Sequence, residues 1–332
     1  MKIKSTLLSI SLGMLIATAA QAQINARLGH AMPQGHPQAT GLAEFAKLAD
    51  KYTEGRLKVT VYDGAQLGGD EKMLRSVQAG TQDLYMGGVA PLTGRIKELQ
   101  IFDFPFMFTN VDEAMFVLNG HIGQGLLNKM NENNLVGLTW ADLGFRDLSN
   151  NKLKITKLED MKGLKVRVMQ NPVALDSWKA LGTNAVAMSF SEVFTALETK
   201  ALDAQENPLQ HMYSNKMYEV QKYITLTHHV YTPVALVASS KLWAQLSDAD
   251  KKGLQRAATE SANFIKELNA SSVSALEGQF KEVGVEISPL DPGEHEKMQA
   301  AIAPIITKYT DAIGADFVKE FYAEIEKARA QK

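Results

Sequence analysis

Apolar and polar positions follow two rhythms along the first half of this chain. Leu57-Lys58-Val59-Thr60-Val61-Tyr62 switches character at every residue, the period of a strand with one buried face. On either side the spacing lengthens to three and four. Leu42, Phe45, Ala46 and Ala49 follow Pro37, a residue suited to the first turn of a helix, and Met73, Leu74 and Val77 follow Asp70 and stop before Gly80. Short extended segments at Arg27–Gly29 and Asp83–Met86 flank these helices. A second block repeats the alternation, with predicted strands at Val136–Trp140 and Lys165–Val168 and helices at Val173–Leu181 and Ser191–Leu197. Strand and helix alternating at this spacing predict a largely parallel sheet covered by helices, which binds ligands outside the carboxyl ends of its strands.

The longest periodic segment comes late. Ser247 and Asp250 have the spacing of a capping box, and apolar residues recur at Leu254, Ala258, Ala262, Ile265, Leu268, Val273, Leu276, Phe280 and Val283 before Gly284. A helix from Asp248 to Val283 runs roughly 50 Å at 1.5 Å per residue, long enough to brace two domains. The phenylalanine cluster from Phe102 to Phe108 reads as core, and the glycine-spaced segment Gly120–Gly125 as a loop.

The first residues read as an address. Lys2 and Lys4 precede an uncharged, mostly apolar stretch from Leu7 to Ala20, and Ala20-Gln21-Ala22 has the small-x-small pattern of a cleavage site. Residues 1–22 are therefore expected to be a signal peptide, and the mature chain to be exported. Composition narrows the chemistry further. The absence of cysteine excludes disulfides, thiolate metal sites, a cysteine nucleophile and a lipidated cysteine. With 35 basic and 37 acidic side chains the net charge is −2, which offers no footprint for nucleic acid.

No G-x-S-x-G, H-E-x-x-H, Walker or dinucleotide motif occurs. His30 and His36, and the adjacent His228 and His229, have no carboxylate companion nearby in sequence, so neither a metal nor a cofactor is expected. Two arginines and an amide stand out instead: Arg146 after Gly144-Phe145, Arg167 between two valines of a short strand, and Asn207 in Gln205-Glu206-Asn207-Pro208. An arginine in a buried strand is costly unless it meets an anion. That anion is either an internal Asp or Glu or the carboxylate of a ligand, which the planar guanidinium fork matches.

Several stretches, in order, resemble the DctP-type solute-binding proteins of tripartite ATP-independent periplasmic (TRAP) transporters. They are Leu67-Gly68-Gly69-Asp70, Asp103-Phe104-Pro105-Phe106-Met107-Phe108, Gly144-Phe145-Arg146, Gly163-Leu164-Lys165-Val166-Arg167, Ala196-Leu197-Glu198, Gln205-Glu206-Asn207-Pro208 and Tyr218-Glu219-Val220-Gln221-Lys222-Tyr223. Ala204 departs from the family, which commonly has glycine there. The resemblance implies an α/β, two-lobed periplasmic-binding-protein fold with hinge strands and a long helix spanning both lobes. The boundaries expected are 23–145 plus 233–272 for lobe I and 146–232 plus 273–332 for lobe II. It further implies a monomer without cofactor that captures a small organic acid, a short dicarboxylate or a sugar acid, and delivers it to a membrane permease. Arg167 would grip the ligand carboxylate, Arg146 would be a second cationic contact, Asn207 would hold ligand oxygens, and Phe190 would line the cleft. Asp70 and His36 fall where the family contacts the distal end of the ligand, although Asp70 also suits a helix N-cap. Gln170 and His211 are further polar candidates. A secreted hydrolase or lyase acting on such an acid, or a ligand-sensing subunit of a receptor, are the alternatives.

Overall fold

A computed structural model describes residues 23–331, so the signal peptide expected at 1–22 lies outside the described residues. In chain order the elements are β1 (Ile24–Gly29), α1 (Pro37–Tyr52), β2 (Leu57–Tyr62), α2 (Asp70–Gln78), β3 (Leu84–Gly88), α3 (Val111–Asn119), α4 (His121–Lys129) and β4 (Leu135–Asn150). There follow β5 (Lys165–Val168), α5 (Pro172–Ala180), β6 (Asn184–Ala187), α6 (Phe190–Glu198), β7 (Ala204–Pro208), α7 (Leu209–Ser214) and β8 (Tyr223–Ser239). The chain ends with α8 (Ser240–Gln245), α9 (Asp248–Glu282), β9 (Glu286–Pro289), α10 (Glu294–Ile313) and α11 (Ala315–Ala330).

The strands order as β2-β1-β3-β8-β4-β7-β5-β6, with β9 paired to the start of β8. The outer trios are parallel where predicted, β1 with β2 and β3 on one side and β5 with β6 and β7 on the other. Between them the long strands β4 and β8 run antiparallel to each other and to β3 and β7. These two strands belong to both lobes and form the hinge. Their register shifts between Asp142 and Gly144 and again between Arg146 and Leu148. At the second shift β4 advances from Arg146 to Leu148 while β8 advances from Val230 to Thr225, so β8 carries a bulge that includes His228 at φ +42°.

Helix α9 spans the lobes as expected. The Ser247 hydroxyl accepts from the Asp250 N–H at 3.1 Å and caps its start. Leu254, Ala258, Ala262 and Ile265 pack with α1 and the first-lobe strands, whereas Leu276 and Phe280 join the core of α6 and α7 in the second lobe. One apolar stripe is thus shared between two cores, and the helix couples them.

Two expectations need correction. The strand predicted at Val136–Trp140 is much longer: β4 passes through Arg146 and continues to Asn150, because β7 and β8 both pair with its second half. Gly120–Gly125 is not a loop but the start of α4, where a Cβ on Gly123 would lie 1.9 Å from the Leu118 carbonyl oxygen. Glycine here permits close approach of two helices, and the Gly123 carbonyl accepts from the Trp140 indole at 2.9 Å. Helix α11 packs on α3, where Val318, Phe321 and Ile325 share a core with Met115 and Trp140. The phenylalanine cluster is core as predicted, with Phe102, Phe104 and Phe108 buried.

Candidate functional site

The two lobes enclose a cavity of about 70 Å³ at the carboxyl ends of β1, β3, β5 and β7. Gln38 (α1), Asp70 (α2) and Met86 to Gly88 (β3) approach from the first lobe, and Arg167 (β5), Gln170, Phe190 (α6), Asn207 (β7) and His211 (α7) from the second. Arg146, Leu143 and Thr232 line it from the hinge strands. Five of the six site residues expected from the sequence, Arg146, Arg167, Asn207, Phe190 and Asp70, therefore converge on one space. His36 does not line it. Its Nδ1 accepts from the Gln38 N–H at 3.0 Å, making it the N-cap of α1.

The two arginines differ in their partners. The Arg146 guanidinium grips Glu206 through Nε and Nη2, bonding both carboxylate oxygens and the Glu206 carbonyl. Both side chains are 2% exposed. Burial alone would raise the Glu206 carboxyl, but Arg146 and His229 outweigh it and hold the pKa at about 2. His229 Nε2 lies 3.1 Å from the same carboxylate, and its Nδ1 lies 2.8 Å from the Thr227 hydroxyl. Behind this cluster Asn171 caps α5 and donates to Asp103, whose carboxyl burial raises to about 7. Arg146 is thus the arginine with an internal counter-charge.

Arg167 has no carboxylate within ion-pair distance among the described residues. Its Nε and Nη2 donate to the Met188 carbonyl at 2.9 and 2.8 Å, and the Phe190 ring lies over the guanidinium at 5.9 Å. The residue is 3% exposed, and desolvation brings its pKa down to about 10. A buried cation held in place by a neutral carbonyl and an aromatic face is set to receive an anion.

Asp70 is not the cap of α2, a position taken by Gly69. Its Oδ1 accepts from the Tyr85 hydroxyl at 2.9 Å, and burial raises its pKa to about 6 despite the pull of that bond and of Arg167. A Cβ on Gly87 would lie 2.0 Å from the Tyr85 hydroxyl, so only glycine leaves room for the pair. Asn207 donates to Gln205 Oε1, which fixes its amide at the cavity wall.

Sequence reasoning missed Glu206 and Gln38. Glu206 stands next to Asn207 in a recognised stretch, but its partner Arg146 is sixty positions away and only the β4–β7 pairing brings them together. The histidine pairs do have carboxylate companions, from distant segments: His30 with Asp63 at 2.8 Å, His228 with Asp147 at 3.0 Å and His229 with Glu206. No group of three metal-binding side chains forms among the described residues.

An interlobe cavity lined by a buried arginine with no carboxylate in ion-pair distance among the described residues, on a hinge of two long antiparallel strands and one long helix, defines a periplasmic-type solute-binding protein. The chain belongs to the DctP family of TRAP solute-binding proteins: residues 28–312 match the bacterial extracellular solute-binding protein family 7. Members bind solutes and are not enzymes. The sugar acid binding protein DctPAm from Advenella mimigardefordensis, solved in complex with galactonate, is 37% identical, with a TM-score of 0.90 over 92% of this chain and 99% of that one. The 2,3-diketo-L-gulonate-binding periplasmic protein YiaO of Escherichia coli is 32% identical over 86% of this chain and 88% of its own. The C4-dicarboxylate-binding periplasmic protein DctP of Rhodobacter capsulatus is 31% identical over 88% of each.

Proposed function

We propose that this protein is the periplasmic receptor of a TRAP transporter, which captures a small organic acid between its lobes and delivers it to the membrane permease. The observation that carries this reading is Arg167: a buried guanidinium without a carboxylate partner among the described residues, facing an interlobe cavity. A ligand carboxylate supplies the missing counter-charge through charge-assisted hydrogen bonds from the guanidinium. The hinge runs through the register shifts of β4 and β8 and through α9, so opening separates the Gln38–Asp70 wall from the Arg167–Asn207 wall. The ligand touches both walls only in the closed arrangement, and its binding energy therefore shifts the equilibrium toward closure.

Arg146 gives shape and dipole to the hinge side of the cavity, its charge being balanced by Glu206. Relatives that bind galactonate, 2,3-diketo-L-gulonate and C4-dicarboxylates support an organic acid as cargo. The periplasmic relatives, together with the Ala20-Gln21-Ala22 pattern, support export after removal of residues 1–22. A thermal-shift panel of organic acids on the mature protein tests the reading. Ligand at one hundred times Kd adds about 2.7 kcal/mol to stability and raises Tm by several degrees. Flat melting curves across dicarboxylates, aldonates and uronates would refute it.

A further inference from the structure

Beside Arg167 the cavity lining carries an unbalanced supply of hydrogen-bonding groups, Gln38 and Asp70 from the first lobe and His211 from the second. Gln38 is 1% exposed and lines the cavity; its amide nitrogen donates to the Met86 carbonyl at 3.2 Å, while its Oε1 has no partner. His211 is 4% exposed and also lines the cavity, with neither ring nitrogen partnered. Burial and the nearby His36, Arg146 and Arg167 hold the His211 pKa well below the usual imidazole range, so the ring is neutral, with one N–H donor and one acceptor nitrogen. Asp70 adds a second carboxylate oxygen beside the one engaged by Tyr85.

Among these three side chains acceptors dominate: Gln38 Oε1, one nitrogen of His211 and an oxygen of Asp70. The His211 N–H is their donor, and the His36 ring stands 5.9 Å behind with an unpartnered Nε2. Because His36 Nδ1 accepts from the Gln38 N–H, the proton of the neutral ring resides on Nε2.

A second carboxylate can only accept. Placed here it would leave Gln38 Oε1 and the acceptor nitrogen of His211 without donors, and it would face Asp70 with no free cation. A hydroxyl both donates and accepts, and several along a short chain satisfy all three side chains. We propose that the cargo is a polyhydroxylated monocarboxylate of the aldonate or uronate type, whose hydroxyls are read by Gln38 and His211. This rests on the carboxylate reading of Arg167 given above, and it narrows that reading to one anionic end and one hydroxylated end. Leaving a buried acceptor or donor unpaired costs about ten- to a hundredfold in affinity per group.

Calorimetric titration of the mature protein with galactonate, erythronate, glucuronate, hexanoate and succinate tests this. At least one hydroxylated monocarboxylate is expected to bind a hundredfold or more tighter than both hexanoate and succinate. Gln38→Leu and, independently, His211→Phe are expected to weaken that ligand ten- to a hundredfold while leaving hexanoate within threefold. Succinate binding as tightly as the best hydroxylated acid would overturn the proposal, and so would hexanoate matching it. If that succinate or hexanoate binding is lost in Arg167→Met, the carboxylate anchor survives and only the reading of the hydroxyl contacts is wrong. Failure of every acid to bind the parent protein would overturn both.

Discussion

Replacing Arg167 by methionine separates two effects of opposite sign. In the unliganded protein the guanidinium is 3% exposed and has lost much of its hydration, which brings its pKa down to about 10. At about 1.4 kcal/mol per pH unit, that depression is worth roughly 3 kcal/mol against the charged form. Methionine removes this penalty and fills a similar length. It also strands the Met188 carbonyl, which accepts two bonds from Arg167, at a cost of about 1–3 kcal/mol. The two nearly cancel, so the unliganded variant is expected to lie between equal stability and about 2 kcal/mol more stable than the parent. Affinity moves the other way. Two charge-assisted bonds at about 1.5–3 kcal/mol each are lost, which predicts a fall of a hundredfold or more. Denaturant unfolding without ligand and calorimetric titration of the same two proteins give both numbers. A variant destabilised by more than about 2 kcal/mol yet binding within threefold of the parent would refute the reasoning. Arg167 would then be a structural cation.

Other perturbations follow from the same geometry. Glu206→Gln removes the counter-charge of Arg146, and because both groups are 2% exposed it should cost about 3–5 kcal/mol of stability while raising the affinity for succinate relative to a monocarboxylate; denaturant unfolding and competition titration measure the two. Asp103 is raised by burial to about 7, so the folded chain binds its proton more tightly than the unfolded one, and this group costs stability as pH rises from about 4 to 7. Asp103→Asn should therefore gain on the parent by up to about 4 kcal/mol at pH 8 and much less at pH 4.5, and a pH-independent difference in unfolding free energy would contradict the burial argument. Gly87→Ala puts a Cβ onto the Tyr85 hydroxyl, displaces the Tyr85–Asp70 pair and should cost about 1–3 kcal/mol of stability together with affinity, read by thermal melting and titration.

The parts of this architecture that were legible in the sequence are those with one buried face. β2 alternates residue by residue, α2 and α9 keep their apolar stripes, and Ser247 and Pro37 mark helix starts by local chemistry. β8 was not legible. Most of it is buried on both faces, so it shows no alternation, and Pro233 sits inside it opposite Asp142 at a register shift, where a strand reading would normally stop. The second half of β4 was hidden for the same reason: Arg146, Asp147, Ser149 and Asn150 are polar yet buried, satisfied by partners that only the fold brings near.

At the site, residue types and resemblance pointed to the two arginines, but the division of labour between them was invisible. From the sequence, Arg167 had either an internal carboxylate or a ligand to meet. The structure gives the internal carboxylate to Arg146 and leaves Arg167 facing the cavity. Gln38 escaped notice because its backbone role, next to the cap His36, says nothing about where its amide ends.

The most direct measurement of the central claim is a crystal structure of the mature protein with a bound aldonate. The account predicts the carboxylate within hydrogen-bond distance of the Arg167 guanidinium, with the hydroxylated end against Gln38 and His211 and the Arg146–Glu206 pair intact. A carboxylate resting on Arg146 with Glu206 displaced, or an acid bound away from Arg167, would contradict it.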